Sequence, residues 1–222
     1  MRPLLLLVLT ALLAGAADTK SVPLFNGRNL DGWEQVGDGV WTILPDGTLV
    51  GQRNPGLPPF ENDTINARRY GQWVNVQAWL YTVREYGDFD LELEYWLRMK
   101  GNSGISLRDP SRGKYGVAMP PDFTKTPSKL GYEIQLNNQY PDKHPSGSIY
   151  TFVDAKTGVQ KDNQWNKIQI ESRKDMIRVR LNGVVVAEHP GDPKRPVRGP
   201  IGLQLHDQFS VVMFRNVRIT ER

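Results

Sequence analysis

Apolar and polar residues alternate with a period of two along most of this chain, and this constrains its fold more than any other feature. Phe89, Leu91, Leu93 and Tyr95 alternate with Asp90, Glu92, Glu94 and Trp96. Ile168 and Ile170 alternate with Gln169 and Glu171, and Ile177, Val179 and Leu181 with Arg178 and Arg180. Ile201, Leu203 and Leu205 alternate with Gly202, Gln204 and His206. A period of two puts each apolar set on one face of a half-buried strand. Beyond the first sixteen residues no apolar stripe of 3.6-residue period appears, and no internal repeat. Asn182-Gly183, between Leu181 and Val184, is the preferred pair for a tight type I′ hairpin turn. Regularly spaced strands without helices predict an all-β sandwich or jelly roll.

Two stretches break the strand rhythm. Residues 52–75 carry Asn54-Pro55-Gly56-Leu57-Pro58-Pro59, then Arg68, Arg69 and Trp73. Residues 109–130 carry Asp109-Pro110, Met119-Pro120-Pro121 and Thr126-Pro127-Ser128. Proline disfavours regular structure in both, and long loops in a compact domain tend to carry function.

The start of the chain reads as a secretory leader. Met1-Arg2-Pro3 is a short basic opening, Leu4 to Leu13 is nearly all apolar, and Ala14-Gly15-Ala16 is a small-residue cleavage signal. The apolar run is about ten residues, short of the roughly 20 that span a bilayer. The expectation is a leader over residues 1–16, one domain over 17–222, no membrane span, and a secreted or periplasmic product. There are no cysteines, which excludes disulfides, thiolate metal sites and a cysteine nucleophile. An exported chain without disulfides must rest on a sizeable core. The 28 basic and 24 acidic residues are dispersed, so no basic patch points to nucleic acid.

Three segments place polar groups in strand register. In Ser103-Gly104-Ile105-Ser106-Leu107-Arg108, alternation sets Ser106 and Arg108 opposite Ile105 and Leu107. In Gly131-Tyr132-Glu133-Ile134-Gln135-Leu136-Asn137, Glu133, Gln135 and Asn137 share a face. In the run ending at His206, Gln204 and His206 do so. A sheet packed on a second sheet shows its other face, and neighbouring strands of this kind would form a polar floor suited to sugar hydroxyls. Glu133 can accept hydroxyl protons or act as a base, and Gln135 and Gln204 can donate and accept at once. Arg108 can neutralise an oxyanion, and His206 can move a proton near neutral pH. Trp73, Trp79 and Tyr150 are candidates for a stacking wall. Glu92 and Glu94 read as surface residues. Three scattered histidines, with His144 and His189 beside prolines, do not spell a closed zinc site. A hard divalent ion held by Glu133 and His206 is compatible with the pattern. Glu92, Glu94, Glu133 and Asp154 pair in several ways as glycosidase carboxylates, so spacing alone selects none.

The same residues carry a family resemblance. Leu24-Phe25-Asn26-Gly27 through Asp31-Gly32-Trp33, Glu85-Tyr86-Gly87-Asp88-Phe89-Asp90-Leu91 and Gly101-Asn102-Ser103-Gly104-Ile105 open an ordered series. It continues with Gly131-Tyr132-Glu133-Ile134-Gln135, Gly147-Ser148-Ile149-Tyr150 and Trp165-Asn166. Gly199-Pro200-Ile201-Gly202-Leu203-Gln204-Leu205-His206 and Phe214-Arg215-Asn216-Val217 close it. Over about residues 24–219 the series resembles the 3-keto-disaccharide hydrolase family. At Asn137-Asn138 many relatives have Asp-Asn, a departure at this strand. The resemblance implies an all-β, concanavalin-A-like jelly-roll β-sandwich of two antiparallel sheets, and a secreted or periplasmic bacterial protein that acts on glycosides oxidised at C3. It implies C2 proton abstraction, elimination of the C1 oxygen and rehydration. Glu133 and His206 are then acid and base in either order, with Arg108, Gln135, Gln204, Asn137 and Tyr150 as substrate ligands. A lectin-like, non-catalytic carbohydrate-binding module is the alternative on the same fold. An endo-glucanase, which needs two carboxylates on one strand face, is the third.

Overall fold

The computed structural model describes residues 20–54, 71, 74 and 76–222. The expected leader at 1–16, Trp73, and most of the 52–75 stretch lie outside the described residues. Two antiparallel sheets face each other. The larger runs β11 (Val184–His189), β10 (Met176–Leu181), β9 (Asn166–Arg173), β6 (Phe89–Leu97), β13 (Val211–Glu221), β4 (Leu49–Arg53) and β3 (Gly39–Ile43). A short β1 (Val22–Pro23) adds to β13. The smaller runs β2 (Trp33–Val36), β5 (Ala78–Thr82), β12 (Ile201–Leu205), β7 (Gly101–Leu107) and β8 (Tyr132–Asn138). Among the described residues no helix is long and apolar enough to cross a membrane.

The larger sheet follows the alternation. On β6, Phe89, Leu91, Leu93, Tyr95 and Leu97 are buried between the sheets. The residues between them face outward, where Glu92 pairs with Lys167 and Glu94 with Arg215. Removing such apolar faces from water supplies the main favourable term, about 25 cal/mol per Å². Asn182 and Gly183 both have positive φ, 48° and 86°, as a type I′ turn requires.

The smaller sheet departs from expectation. Every residue of β5, β7, β8 and β12 is buried, on both faces. Its second face is therefore the floor of a roofed cavity and not an open surface. The roof includes residues 109–130, which hold a turn of 3₁₀ helix (Phe123–Lys125) and one helical turn, α1 (Pro127–Leu130). Asp109 fastens this loop. Its buried carboxylate accepts the backbone N–H groups of Ser111 (2.9 Å) and Gly113 (2.8 Å). On the floor side it lies 3.2 Å from the Tyr81 hydroxyl, which is 3.0 Å from Ser106 Oγ.

Candidate active site

Strand register assembles the floor. Ser106 lies opposite Glu133, Gly104 opposite Gln135, and Asn102 opposite Asn137 across β7 and β8. On the other side of β7, Gly202 lies opposite Ser106, and β12 meets β5 with Gln204 opposite Trp79. Polar side chains from three strands thus meet at the base of a cavity of about 400 Å³, within the range of small-molecule sites. Glu133, Gln135, Gln204, His206 and Tyr150 all line it. Sequence analysis named each of these five, and the fold brings them together.

Glu133 is only 5% exposed. Burial pushes its carboxyl up to about 8, and the charges of Asp142 and Asp109 add to the rise. Burial disfavours the charged form, so near neutral pH Glu133 is largely a protonated acid. The Gln204 amide is close enough to oppose the rise, yet no hydrogen bond of normal geometry joins the two. Among the described residues, Gln204 Oε1 and Nε2 are both buried without a partner. An unsatisfied buried polar group costs about 1–3 kcal/mol, a cost that a hydroxyl-bearing ligand would remove. Gln135 Nε2 donates to Asn102 Oδ1 (3.1 Å), which fixes the amide plane.

His206 follows the last residue of β12. Its Nδ1 lies 3.1 Å from Asp207 Oδ2, and its ring meets the edge of Tyr140 at 5.3 Å. Burial acts to raise Asp207, but the hydrogen bond and charge of His206, with the N–H of Phe209 and the Ser210 hydroxyl, hold it below the usual carboxylate range. The anchored Nδ1 leaves Nε2 for proton exchange.

Beyond β8, residues 147–150 run alongside the strand. Gly147 N–H donates to Gln135 O (2.8 Å), Gln135 N–H to Ser148 O (2.9 Å) and Tyr150 N–H to Glu133 O (2.8 Å). This places Tyr150 beside Glu133. The Tyr150 hydroxyl donates to Asp142 Oδ2 (3.1 Å), and burial together with that carboxylate raises it well above the ordinary phenol value.

Three expectations are corrected. Arg108 does not reach the cavity. Strand β7 ends at Leu107, Arg108 takes a left-handed backbone (φ 61°), and the alternation stops there. Its guanidinium donates to Arg173 O (3.1 Å) and Gly87 O (2.9 Å), joining the two sheets. Asn137 shares the floor's face, but its amide is fully used. Nδ2 reaches the carbonyls of Tyr140, Asp142 and His144, and Oδ1 accepts Tyr140 N–H (2.8 Å). It shapes the loop and is not available to a sugar. Trp79 is wholly buried, stacked on Tyr81 and covered by Gly113, where an added Cβ would lie 2.6 Å from its ring. Among the described residues, Phe123 is an exposed aromatic at the cavity, half-exposed on the roof.

Sequence reasoning missed His144, Asp142, Asn102 and Gln77, which also line the cavity. His144 gave no signal beyond a histidine before proline, because its partner is set by the fold. Among the described residues the carboxylates lining the cavity are Glu133 and Asp142, and Asp142 lies in the loop after β8 and not on the strand face that the endo-glucanase alternative needs. Among the described residues no group of three or more His, Asp or Glu side chains could hold an ion.

Two candidate glycosyl hydrolases from Parabacteroides distasonis share the fold. One has 23% identity and a TM-score of 0.65, covering 91% of this chain and 100% of its own. The other has 22% identity and a TM-score of 0.68, covering 91% and 94%. A carbohydrate-binding module from Bacillus subtilis matches at 16% identity and a TM-score of 0.55, covering 86% and 96%. At these identities the likeness establishes the jelly-roll architecture alone. No curated protein matches the chain. The profile of the 3-keto-alpha-glucoside-1,2-lyase-like domain matches residues 20–220, and the chain therefore belongs to the 3-keto-disaccharide hydrolase family.

Proposed function

We propose that the protein cleaves 3-keto-glycosides by proton abstraction at C2, elimination of the C1 oxygen and addition of water. The observation that carries this reading is a buried carboxyl held protonated beside a cavity that also contains a carboxylate-anchored imidazole. A ketone at C3 acidifies the C2 hydrogen, so the reaction needs a base at C2 and a donor at the C3 oxygen. His206 Nε2 serves as the base, oriented by Asp207. Protonated Glu133 donates to the C3 oxygen as negative charge develops there, the role of a neutral carboxylic acid in an apolar setting. Gln204 and Gln135 hold ring hydroxyls. The apolar leader would deliver the protein outside the cytoplasm.

The solved carbohydrate-binding module of the same fold favours a second reading, in which the chain binds sugar without cleaving it. The test is to mix the pure protein with a 3-keto-glucoside and the matching unoxidised glucoside and follow aglycone release, with and without chelator. Release from the oxidised sugar alone is expected. Saturable binding of that sugar with no release would establish the module instead.

Gly104 offers a second check. A Cβ there would lie 2.5 Å from Glu133 Oε1 and 3.2 Å from Gln204 Oε1, so Gly104→Ala must push the carboxyl aside. A misplacement near 1 Å costs about 100-fold. Turnover should fall about 10- to 100-fold while the circular dichroism spectrum and Tm stay near wild type. Unchanged kcat/KM would show that the carboxyl position is not critical.

A further inference from the structure

Elimination at C1 sends the carbon–oxygen electron pair to the glycosidic oxygen. An alkoxide leaves poorly unless it is protonated as the bond breaks. With His206 at C2 and Glu133 at the C3 oxygen, this third position still needs a donor. A second imidazole–carboxylate pair borders the same cavity. His144 lines it, and its Nδ1 hydrogen-bonds the Asp154 carboxylate, leaving Nε2 as the exchanging nitrogen. The backbone of His144 is held from both sides: its N–H donates to Asp142 Oδ1 (2.8 Å) and its carbonyl accepts from Asn137 Nδ2 (3.2 Å). Its ring packs 4.4 Å from that of Tyr150. The side chain is largely buried, 11% exposed, whereas that of Asp154 is 59% exposed and open to solvent. The two histidines reach the cavity from different sides of the sheet. His206 ends β12, and His144 precedes the segment that runs beyond β8, so β7 and β8 lie between them.

We infer that His144, oriented by Asp154, is the acid that protonates the departing glycosidic oxygen, and the base that deprotonates the water adding at C1. This rests on the proposed elimination reaction. The balance is as follows. The C2 proton goes to His206, its bonding pair forms the C1=C2 double bond, and the C1–O pair goes to the oxygen, which takes the His144 proton. Water then adds to C1, losing a proton to His144, while C2 regains one from His206. The sum is glycoside plus water giving 3-keto sugar plus alcohol.

The test compares a methyl 3-keto-glucoside, whose leaving group needs a proton, with the 4-nitrophenyl 3-keto-glucoside, whose leaving group does not. His144→Ala should lose about 100- to 1,000-fold in kcat on the methyl substrate, and less than about 5-fold on the nitrophenyl one. Asp154→Asn, a change at an exposed side chain that the fold will tolerate, should show the same ordering with a smaller loss. Equal losses on both substrates in Asp154→Asn and His144→Ala, or no loss on the methyl substrate, would overturn the inference. Wild-type protein that cleaves neither substrate would overturn the elimination reading, and this inference with it.

Discussion

Glu133→Gln is expected to lower turnover about 100- to 1,000-fold and yet make the protein more stable at neutral and alkaline pH. The activity loss follows from the role of the carboxyl. Glutamine can still donate a hydrogen bond, but it is a weaker donor to a developing oxyanion, and removing such a donor costs about 100- to 1,000-fold. The stability gain follows from linkage. The carboxyl titrates near its ordinary value of 4.5 in the unfolded chain and at about 8 in the folded one. Below 4.5 both states are protonated and the residue costs nothing. As pH rises from 4.5 to 8, the unfolded state ionises first and binds fewer protons, so stability falls with pH. Well above 8 the full penalty, about 5 kcal/mol, is present. Glutamine does not titrate. The variant should therefore match wild type near pH 4 and exceed it by about 5 kcal/mol at pH 8.5, roughly 10–20 °C in Tm for a chain of this size. Wild-type kcat should fall above pH 8 as Glu133 ionises, and the variant should lack that limb. Equal Tm for the two proteins at pH 8.5 would show that burial does not raise the Glu133 carboxyl, and that it is already ionised at neutral pH in the native state.

His206→Ala should reduce kcat by about 1,000-fold or more, with the fold intact. The ring is 26% exposed at the side chain and packs only edge-on against Tyr140, so the structural cost is small. Its base function is separable from the other steps. Exchange of the C2 hydrogen into D2O should vanish in His206→Ala and persist in His144→Ala. Exogenous imidazole should restore part of the lost rate, because the deletion leaves room beside Asp207. C2 exchange at wild-type rate in His206→Ala would remove this residue from the base position.

Much of the molecule can be read from alternation. Strands β6, β9 and β10 bury one face each, and their residues fall on the faces that a period of two assigns. The floor residues Glu133, Gln135 and Gln204 are legible for the same reason, since register follows from side-chain period. The roof is not legible. Residues 109–130 have no periodicity, and their position depends on Asp109 reaching Tyr81 and on Gly113 covering Trp79, contacts that local sequence does not encode. The floor consequently reads as an open face when it is buried. Arg108 is misplaced by extending alternation one residue past the strand end, where Gly199 approaches so closely that an added Cβ would lie 2.7 Å from Arg108 Cα. His144 is invisible because Asp154 reaches it through the turn at 147–153. Asn137 lies on the predicted face, but which carbonyls take its amide is decided by the loop that follows.

The central claim is that glycoside cleavage passes through loss of the C2 proton. The most direct measurement is to run the wild-type reaction on a 3-keto-glucoside in D2O and inspect the released 3-keto sugar by NMR at early conversion. Isolated product incubated without enzyme serves as the control for slow exchange. Elimination and rehydration predict deuterium at C2 to the extent that the proton carried by the partly exposed His206 exchanges with solvent before it returns, and a primary isotope effect on kcat/KM for substrate deuterated at C2. Product that retains its original hydrogen at C2 while the aglycone is released, with no isotope effect from deuterium at C2 of the substrate, would mean direct displacement at C1, and would contradict the account.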